Sequence, residues 1–203
     1  ATVRDAQRAA LLVVRAVYER AQPGRVEVVA PAGETILEVA EEVGLKPIEI
    51  GRLPGGELDL DSLADVMREA TMVVAAPWLK PSGGFDANVA TAADVAHVHG
   101  ALMCVDASGW RALLGAVRVR DVGADLAWLP LGELTPLATA VALGVRSELT
   151  EALPTPLVGK ERGGFILDGD LPRTIGRMAL APARFPDVLA FYIALRTLGA
   201  PEP

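Results

Sequence analysis

Residues 102–131, LMCVDASGWRALLGAVRVRDVGADLAWLPL, contain the pattern that decides the fold. Two short apolar runs, 101–106 and 125–131, are separated by a mixed stretch long enough to cross over a sheet. The first run has no polar residue until Asp106, and the second begins at Asp125. Such runs are typical of strands buried on both faces, and a connection of about a dozen or more residues allows two strands to be parallel.

The same alternation of helix and strand extends along the whole chain. Apolar residues at helical spacing predict helices at 5–24, 33–44, 87–100 and 187–199, and residues 55–70 predict a turn followed by a helix with Asp59 as its N-cap. Apolar runs predict strands at 26–31, 47–51, 72–77, 101–106, 125–131 and 139–145. This order indicates an α/β protein, a three-layer α/β/α sandwich around a mainly parallel mixed sheet. No internal repeat or composition shift divides residues 1–203, so we expect a single domain.

Composition and charge argue against several classes of function. The 203 residues carry a net charge of −7 and no basic cluster, so we expect neither a nucleic-acid partner nor binding to an anionic membrane. No apolar run approaches the ~20 residues that cross a bilayer. Cys104 is the only cysteine, and His97 and His99 are the only histidines, so no metal site is expected. The start of the chain lacks a signal-peptide pattern, which predicts a soluble cytoplasmic protein.

Candidate functional residues follow the ends of the predicted strands, because ligands in parallel α/β sheets bind beyond those ends. Asp106 ends strand four. A carboxylate there either accepts hydrogen bonds from the following turn or faces a ring nitrogen of a ligand, and both interpretations stay open. Trp78 and Trp110 each follow a strand end, where they could line a pocket or an interface.

Four stretches resemble the glycine decarboxylase family, the P-protein of the glycine cleavage system. They are 55–77 (GGELDLDSLADVMREATMVVAAP), 102–131, 153–177 (LPTPLVGKERGGFILDGDLPRTIGR) and 190–200 (AFYIALRTLGA). Their order and spacing match, and the most specific segment is PRTIGR at 172–177, within an irregular, proline-bearing region predicted at 153–186. The resemblance covers nearly the whole chain and implies the large domain of the family's second half, with the small C-terminal domain absent.

The resemblance implies a fold type I architecture, dimerisation through this domain, and pyridoxal phosphate held by a lysine, an aspartate, a stacked histidine and a glycine-rich turn. Asp106 matches the aspartate. Glu133 occupies the position of the lysine, and Gly132 that of the histidine before it. Residues 31–33 (PAG) supply no aromatic ring, and the opening ATVRDAQRAA has no glycine. Three of the four cofactor contacts are therefore expected to be lost.

Only one lysine of the sequence is a candidate to replace the missing one. Of the three lysines, Lys46 precedes a strand, Lys160 lies in the late irregular stretch, and only Lys80 follows a strand on the ligand side. Glu133 is interpreted as a solvated loop acid, or alternatively as a like-charge partner of Asp106 that favours a different ligand. If the cleft still binds a cofactor or metabolite, the residues expected to line it are Asp106, Ser108, Trp110, Trp78 and Glu133.

Three functions are therefore considered. The leading hypothesis is a glycine dehydrogenase (decarboxylating)-like protein that is degenerate and non-catalytic, binds no cofactor, and acts as a homodimer or as the partner of a related decarboxylase-like subunit. The second is an active pyridoxal-phosphate enzyme that uses Lys80 or a lysine of a partner chain. The third is a protein that binds a small metabolite in the old cofactor cleft.

Overall fold

The computed structural model describes residues 2–19, 21–113, 118–153, 159–161, 164–166 and 185–198. Six strands form one sheet: β1 (Glu27–Pro31), β2 (Lys46–Ile50), β3 (Thr71–Pro77), β4 (Leu102–Asp106), β5 (Leu126–Pro130) and β6 (Val141–Val145). Their order across the sheet is β2-β1-β3-β4-β5-β6. The first five strands are parallel, and β6 runs antiparallel to β5.

Helices cover both faces of the sheet. They are α1 (Val3–Glu19), α2 (Thr35–Glu42), α3 (Leu60–Val66), α4 (Asn88–Val98) and α5 (Phe185–Leu198). One core joins α1 and α2 to the first face, and a second core joins α3, α4 and part of α5 to the other face. The mainly parallel, three-layer arrangement predicted from the sequence is confirmed.

The burial of each element follows from its apolar pattern. β1 is buried at every position, and β4 is buried until its last residue, because helices cover both sides of these strands. Helix α1 places Ala6, Ala10 and Val14, which are four residues apart, against the sheet together with Leu11. Each fully buried Leu or Val stabilises the fold by roughly 1.5–3 kcal/mol relative to an exposed one.

The third helix is shorter than the sequence predicted. It begins after Asp59, whose Oδ1 accepts hydrogen bonds from the backbone amides of Asp61 and Ser62 at 3.1 Å, so the predicted N-cap is correct. The expected end of the helix near residue 70 is wrong, because the chain leaves the helix at Met67. The next residue, Arg68, donates hydrogen bonds to both carboxylate oxygens of Glu27 at the start of β1, so a tertiary ion pair follows the end of the helix.

Two further boundaries differ from the pattern. Helix α1 ends at Glu19 rather than at residue 24, and Tyr18 accepts backbone hydrogen bonds from residues 21 and 22 as the chain turns. The stretch predicted to be irregular contains a short antiparallel hairpin, β7 (Gly159–Glu161) and β8 (Gly164–Ile166). The PRTIGR segment at 172–177 lies outside the described residues.

Candidate functional site at the carboxyl edge of the sheet

The carboxyl ends of the parallel strands lie along one edge of the sheet, where ligands bind in folds of this class. Asp106, the last residue of β4, is paired with Pro77 at the end of β3 and with Trp128 of β5. Asp106 therefore lies near the middle of this edge. The loops that follow the strands carry the residues predicted from the sequence, and we call them together the carboxyl-edge site.

Asp106 organises the turn that follows it. Its Oδ1 accepts hydrogen bonds from the backbone amide of Ser108 at 2.8 Å and from the Ser108 hydroxyl at 2.5 Å. The backbone carbonyl of Asp106 also accepts a hydrogen bond from the amide of Trp78. These contacts support the interpretation of Asp106 as an acceptor for the next turn, and they use one oxygen of its carboxylate.

Glu133 connects the loops after β4 and β5. Its Oε1 lies 2.6 Å from the backbone nitrogen of Gly109, and its Oε2 lies 3.5 Å from that of Arg111. The Arg111 guanidinium donates back to the Glu133 carbonyl at 3.2 Å. Glu133 is half-buried rather than a solvated loop acid, because the backbone amides after β4 hold its carboxylate. It and Asp106 serve the same turn, so two carboxylates meet at this edge.

Trp78 and Trp110 lie in the core beneath this edge. Their exposed fractions are 2% and 7%, and both belong to the core on the α4 side of the sheet. The indole of Trp78 donates to the carbonyl of Ser108 at 3.2 Å, and the indole of Trp110 donates to that of Pro130 at 3.1 Å. Trp110 also makes an edge-to-face contact with Phe191 of α5. Both indoles therefore stabilise, from the core, the backbone after β4 and at the end of β5.

Lys80 is engaged by another loop. Its Nζ lies 2.8 Å from Oε1 of Glu57, in the turn that precedes α3. This ammonium holds the pKa of Glu57 below its usual value through the hydrogen bond. In the part of the chain that the structure describes, no hydrogen bond or ion pair joins Lys80 to Asp106 or Glu133.

Glu34 and Arg52 belong to the same edge, although the sequence reasoning did not select them. Glu34 follows β1, Arg52 follows β2, and an Arg52 guanidinium nitrogen lies 2.7 Å from Oε1 of Glu34. Burial raises the pKa of Glu34; Arg52 opposes that shift, and the negative charge of Asp106 adds to it. The strand-end rule that selected Asp106 also applies to both residues and could have found them.

The beginning of α1 occupies the place where the family resemblance implies a glycine-rich phosphate grip. Arg4 pairs with Glu38 at 2.6 Å and with Glu42 of α2, and Arg8 also pairs with Glu42. These guanidiniums therefore tie α1 to α2. Their side chains are partly exposed, so solvent weakens the individual ion pairs.

The remaining reactive residues lie away from this edge. Burial raises the pKa of the Cys104 thiol far above its usual value, so this residue is a core thiol. His97 pairs with Asp125 at 2.8 Å, a contact that the sequence reasoning missed even though it noted the acid at the start of β5. Within the described residues, no group of three or more His, Cys, Asp or Glu side chains has the geometry of a metal site.

The chemistry available at the carboxyl-edge site is that of carboxylates. Glu34, Asp106 and Glu133 offer acceptor oxygens, Arg52 offers a cation, and the amine of Lys80 is paired. Carboxylates can accept hydrogen bonds or exchange protons, but a carboxylate cannot condense with an aldehyde to form an imine. The site therefore differs chemically from one built around a free lysine.

Solved structures define the class of this fold. It matches the cysteine desulfurase CsdA of Escherichia coli with a TM-score of 0.67 at 20% identity, over 94% of this chain and 50% of that one. It matches a sphingosine-1-phosphate lyase of Burkholderia pseudomallei with a TM-score of 0.72 at 18% identity, over 98% and 47%. The chain therefore has the fold type I architecture of pyridoxal-phosphate transferases, as its motifs predict.

Sequence relatives narrow this class. The chain is 31% identical to a probable glycine dehydrogenase (decarboxylating) subunit 2 of Oceanobacillus iheyensis, over 94% of this chain and 41% of that protein. The protein of the same description in Nitrosomonas europaea is 30% identical over 94% and 42%. The predicted resemblance is confirmed: the chain is similar in sequence to glycine dehydrogenase (decarboxylating) subunit 2 and spans about two fifths of the length of the proteins it matches.

Two other comparisons complete the description. No protein-family model matches the chain. Among the described residues, no helix combines the length and apolar character required to span a membrane.

Proposed function

We propose that this chain is a non-catalytic relative of glycine dehydrogenase (decarboxylating) subunit 2 that acts by association with a chain of the same fold. The observation that carries the proposal is the environment of Glu133. This residue stands where the family resemblance implies a lysine, and its carboxylate is bound to the backbone amide of Gly109. At the position where the resemblance implies an amine, a carboxylate joins two loops.

The other cofactor contacts support the same conclusion. Pyridoxal phosphate needs a lysine amine and a cradle for a dianionic phosphate. Three carboxylates, those of Glu34, Asp106 and Glu133, belong to the loops of the carboxyl-edge site, and negative charge there disfavours a phosphate. The two arginines at the start of α1 are already paired with acids of α2. The described residues therefore do not fit the cofactor, and we assign them no step that uses it.

Association is supported by an apolar stripe on α5. Phe185, Val188, Leu189, Tyr192 and Ile193 are all more than 40% exposed, and their spacing places them on one side of the helix. Other positions of the helix, including Phe191, Ala194 and Leu195, pack on the core. A helix that is apolar on both sides is expected to be covered by another surface. We propose that a second decarboxylase-like chain, either a copy of this one or a related subunit, covers the stripe.

Sedimentation equilibrium tests the association. We expect the protein, alone or mixed with a purified glycine dehydrogenase subunit 2, to form a dimer that Tyr192→Glu and Ile193→Glu each dissociate. Val98→Glu is the matched control, because Val98 is 84% exposed on α4 and lies outside the stripe. A monomer under both conditions, or a dimer equally stable in all three variants, contradicts the proposed function.

The alternative of an active enzyme requires Lys80 to be released from Glu57. Nothing in the described contacts favours that release, because the ion pair is also supported by the turn at 80–84, in which Lys80 exchanges backbone hydrogen bonds with Gly83 and Gly84. A metabolite-binding role of the old cofactor cleft is also disfavoured, because the two tryptophans expected to line it are buried. The extent of the domain and a cytoplasmic location stay predictions.

A further inference from the structure

A cavity of about 330 Å³ lies on the α4 side of the sheet, away from the carboxyl-edge site. It opens between the C-terminal end of α4, the turn at 119–124 and the strands β5 and β6. Its wall is apolar and includes Val119, Leu126, Leu129 and Val145. Small-molecule sites have volumes from roughly 300 Å³ upward and combine such walls with a few polar groups.

The cavity exists because small residues form its floor. Gly144 of β6 is paired with Ala127 of β5, and residues paired across antiparallel strands face the same side of a sheet. A Cβ atom on Gly144 would meet nothing closer than the carbonyl oxygen of Ala127 at 3.7 Å. Gly144 does not have a positive φ, so no turn requires a glycine there. Glycine weakens a strand by roughly 0.5–1 kcal/mol relative to alanine. The absence of a side chain at Gly144 leaves the cavity open.

Gly123, on the opposite wall, is constrained in a different way. Its φ is +74°, and a Cβ atom there would lie 2.7 Å from the side chain of Ala93. Gly123 is therefore required by the local fold, whereas Gly144 is not. The open space above Gly144 is a feature that packing alone does not explain.

The rim of the cavity carries two guanidiniums, those of Arg120 and Arg146, each with acidic neighbours. Asp125 is almost fully buried, and its carboxylate is held by the amide of Met103 at 2.7 Å, by His97 at 2.8 Å and by Arg146 at 2.6 Å. The exposed parts of this cluster are therefore the imidazole and the guanidinium. Arg120 adds a second guanidinium that is 73% exposed, and its ion pair with Asp121 is 3.7 Å long, beyond hydrogen-bond distance.

Besides Asp125 and Asp121, a third acid, Glu148, lies beside these guanidiniums. Glu148 lies 3.1 Å from Nε of Arg146, and both side chains are at least half exposed. Solvent weakens such a pair, and Nε is only one of the donor groups of the guanidinium. Arg120 and Arg146 therefore keep donors for a bound anion.

We propose that this cavity binds a small organic anion with an apolar body, such as an arylalkyl carboxylate. The apolar wall takes the ring, and the rim arginines take the carboxylate. The volume of about 330 Å³ lies at the lower end of the range for small-molecule sites, which favours a small ligand such as phenylacetate. The site shares no residue with the carboxyl-edge site, so this inference stands or fails independently of the proposed function.

Titration of the ¹⁵N-labelled protein with phenylacetate tests the inference, and neutral phenylacetamide is the matched ligand. We expect saturable shifts of the amide resonances of Gly123 and Gly144 with the acid and much weaker binding of the amide. Gly144→Val should abolish binding while the melting temperature stays equal or rises, because a β-branched side chain fills the cavity and suits a strand.

Two charge variants complete the design. Arg120→Ala should weaken binding roughly threefold, as expected for one exposed ion pair. Arg118→Ala removes an exposed arginine that does not line the cavity, and it should leave the affinity unchanged. The inference is overturned if phenylacetate gives no saturable shift at either glycine, if the amide binds equally well, or if Gly144→Val retains binding.

Discussion

Oε1 of Glu133 lies 2.6 Å from the backbone nitrogen of Gly109, so a carboxylate after β5 closes the turn after β4. A hydrogen bond to a charged acceptor in a half-buried place is among the stronger ones available to a loop. The bond gives Glu133 a structural role at a position where relatives of this fold are expected to carry a reactive amine. The bond explains how the loops after β4 and β5 are held together at this edge.

The first prediction concerns the strength of that bond. Glu133→Ala should lower the free energy of unfolding by roughly 1–3 kcal/mol, because the Gly109 amide loses its acceptor. Glu133→Gln keeps a carbonyl oxygen and should cost less than half as much. Urea titration followed by circular dichroism measures both. Glu69→Ala, at an exposed acid, is the control; if all three variants unfold like the wild type, Glu133 has no structural role.

The second prediction concerns the conformation of the same turn. Gly109 has a φ of +82°, and a Cβ atom there would lie 2.1 Å from Cδ1 of Leu79. Gly109→Ala should therefore cost roughly 2–4 kcal/mol, of which ~1–2 kcal/mol is backbone strain and the rest is overlap. Combining it with Leu79→Ala removes the overlap, so a double-mutant cycle should give a coupling of about 1 kcal/mol. Strict additivity would show that Leu79 does not limit residue 109.

The sequence predicted the fold well because the elements of this architecture are encoded locally. β3 and β4 are runs of apolar residues, and the pattern places them within a residue of their observed ends. The errors occur where a tertiary contact overrides local preference. Helix α3 stops early because Arg68 pairs with Glu27, which lies far away along the chain.

The site was harder to predict, because its contacts join loops that are distant in sequence. The sequence identified Asp106 and Glu133 as residues of one edge, but the hydrogen bond from Gly109 to Glu133 depends on how two loops meet. The burial of Trp78 could not be read from its position after a strand. Likewise, the pair of His97 with Asp125 requires the end of α4 to lie beside the start of β5.

The third prediction concerns the buried carboxylate of Asp125. Asp125→Asn keeps the size of the side chain but removes the charge that pairs with His97 and Arg146. We expect a loss of about 3 kcal/mol in the free energy of unfolding, the lower end for breaking a buried ion pair, because both partners are partly exposed. Asp121→Asn, at an exposed acid, should change it by less than ~0.5 kcal/mol. Equal effects of the two substitutions would contradict the burial of Asp125.

The fourth prediction is a dependence of stability on pH. The hydrogen bonds from Arg68, and then the one from Lys46, hold the pKa of Glu27 below its ordinary value of 4.5. The unfolded state therefore binds this proton more readily, so the contribution of Glu27 is complete above about pH 4.5 and is lost as the pH falls through the lower folded pKa. Glu27→Gln should destabilise the protein at pH 7 by roughly 2 kcal/mol, and the difference should shrink towards pH 3.

Glu34 is the control of opposite sign for that experiment. Burial raises its pKa, so its charged form is less stable in the folded protein, and its contribution declines as the pH rises through 4.5 and the higher folded value. The advantage of Glu34→Gln over the wild type should grow from pH 4 to pH 7. Urea titrations at several pH values measure both; parallel curves for the two variants would contradict the assigned environments.

Absorbance titration with pyridoxal phosphate, followed by borohydride reduction and mass mapping, tests the loss of Schiff-base chemistry most directly. Lys80 is the lysine on the ligand side of the sheet, and Lys80→Arg is the matched control because it keeps the ion pair with Glu57. We predict no saturable imine band, and at most scattered labelling of the three lysines that is the same in the wild type and the variant. A saturable band with the label on Lys80, absent from Lys80→Arg, would contradict the account and establish a rebuilt active site.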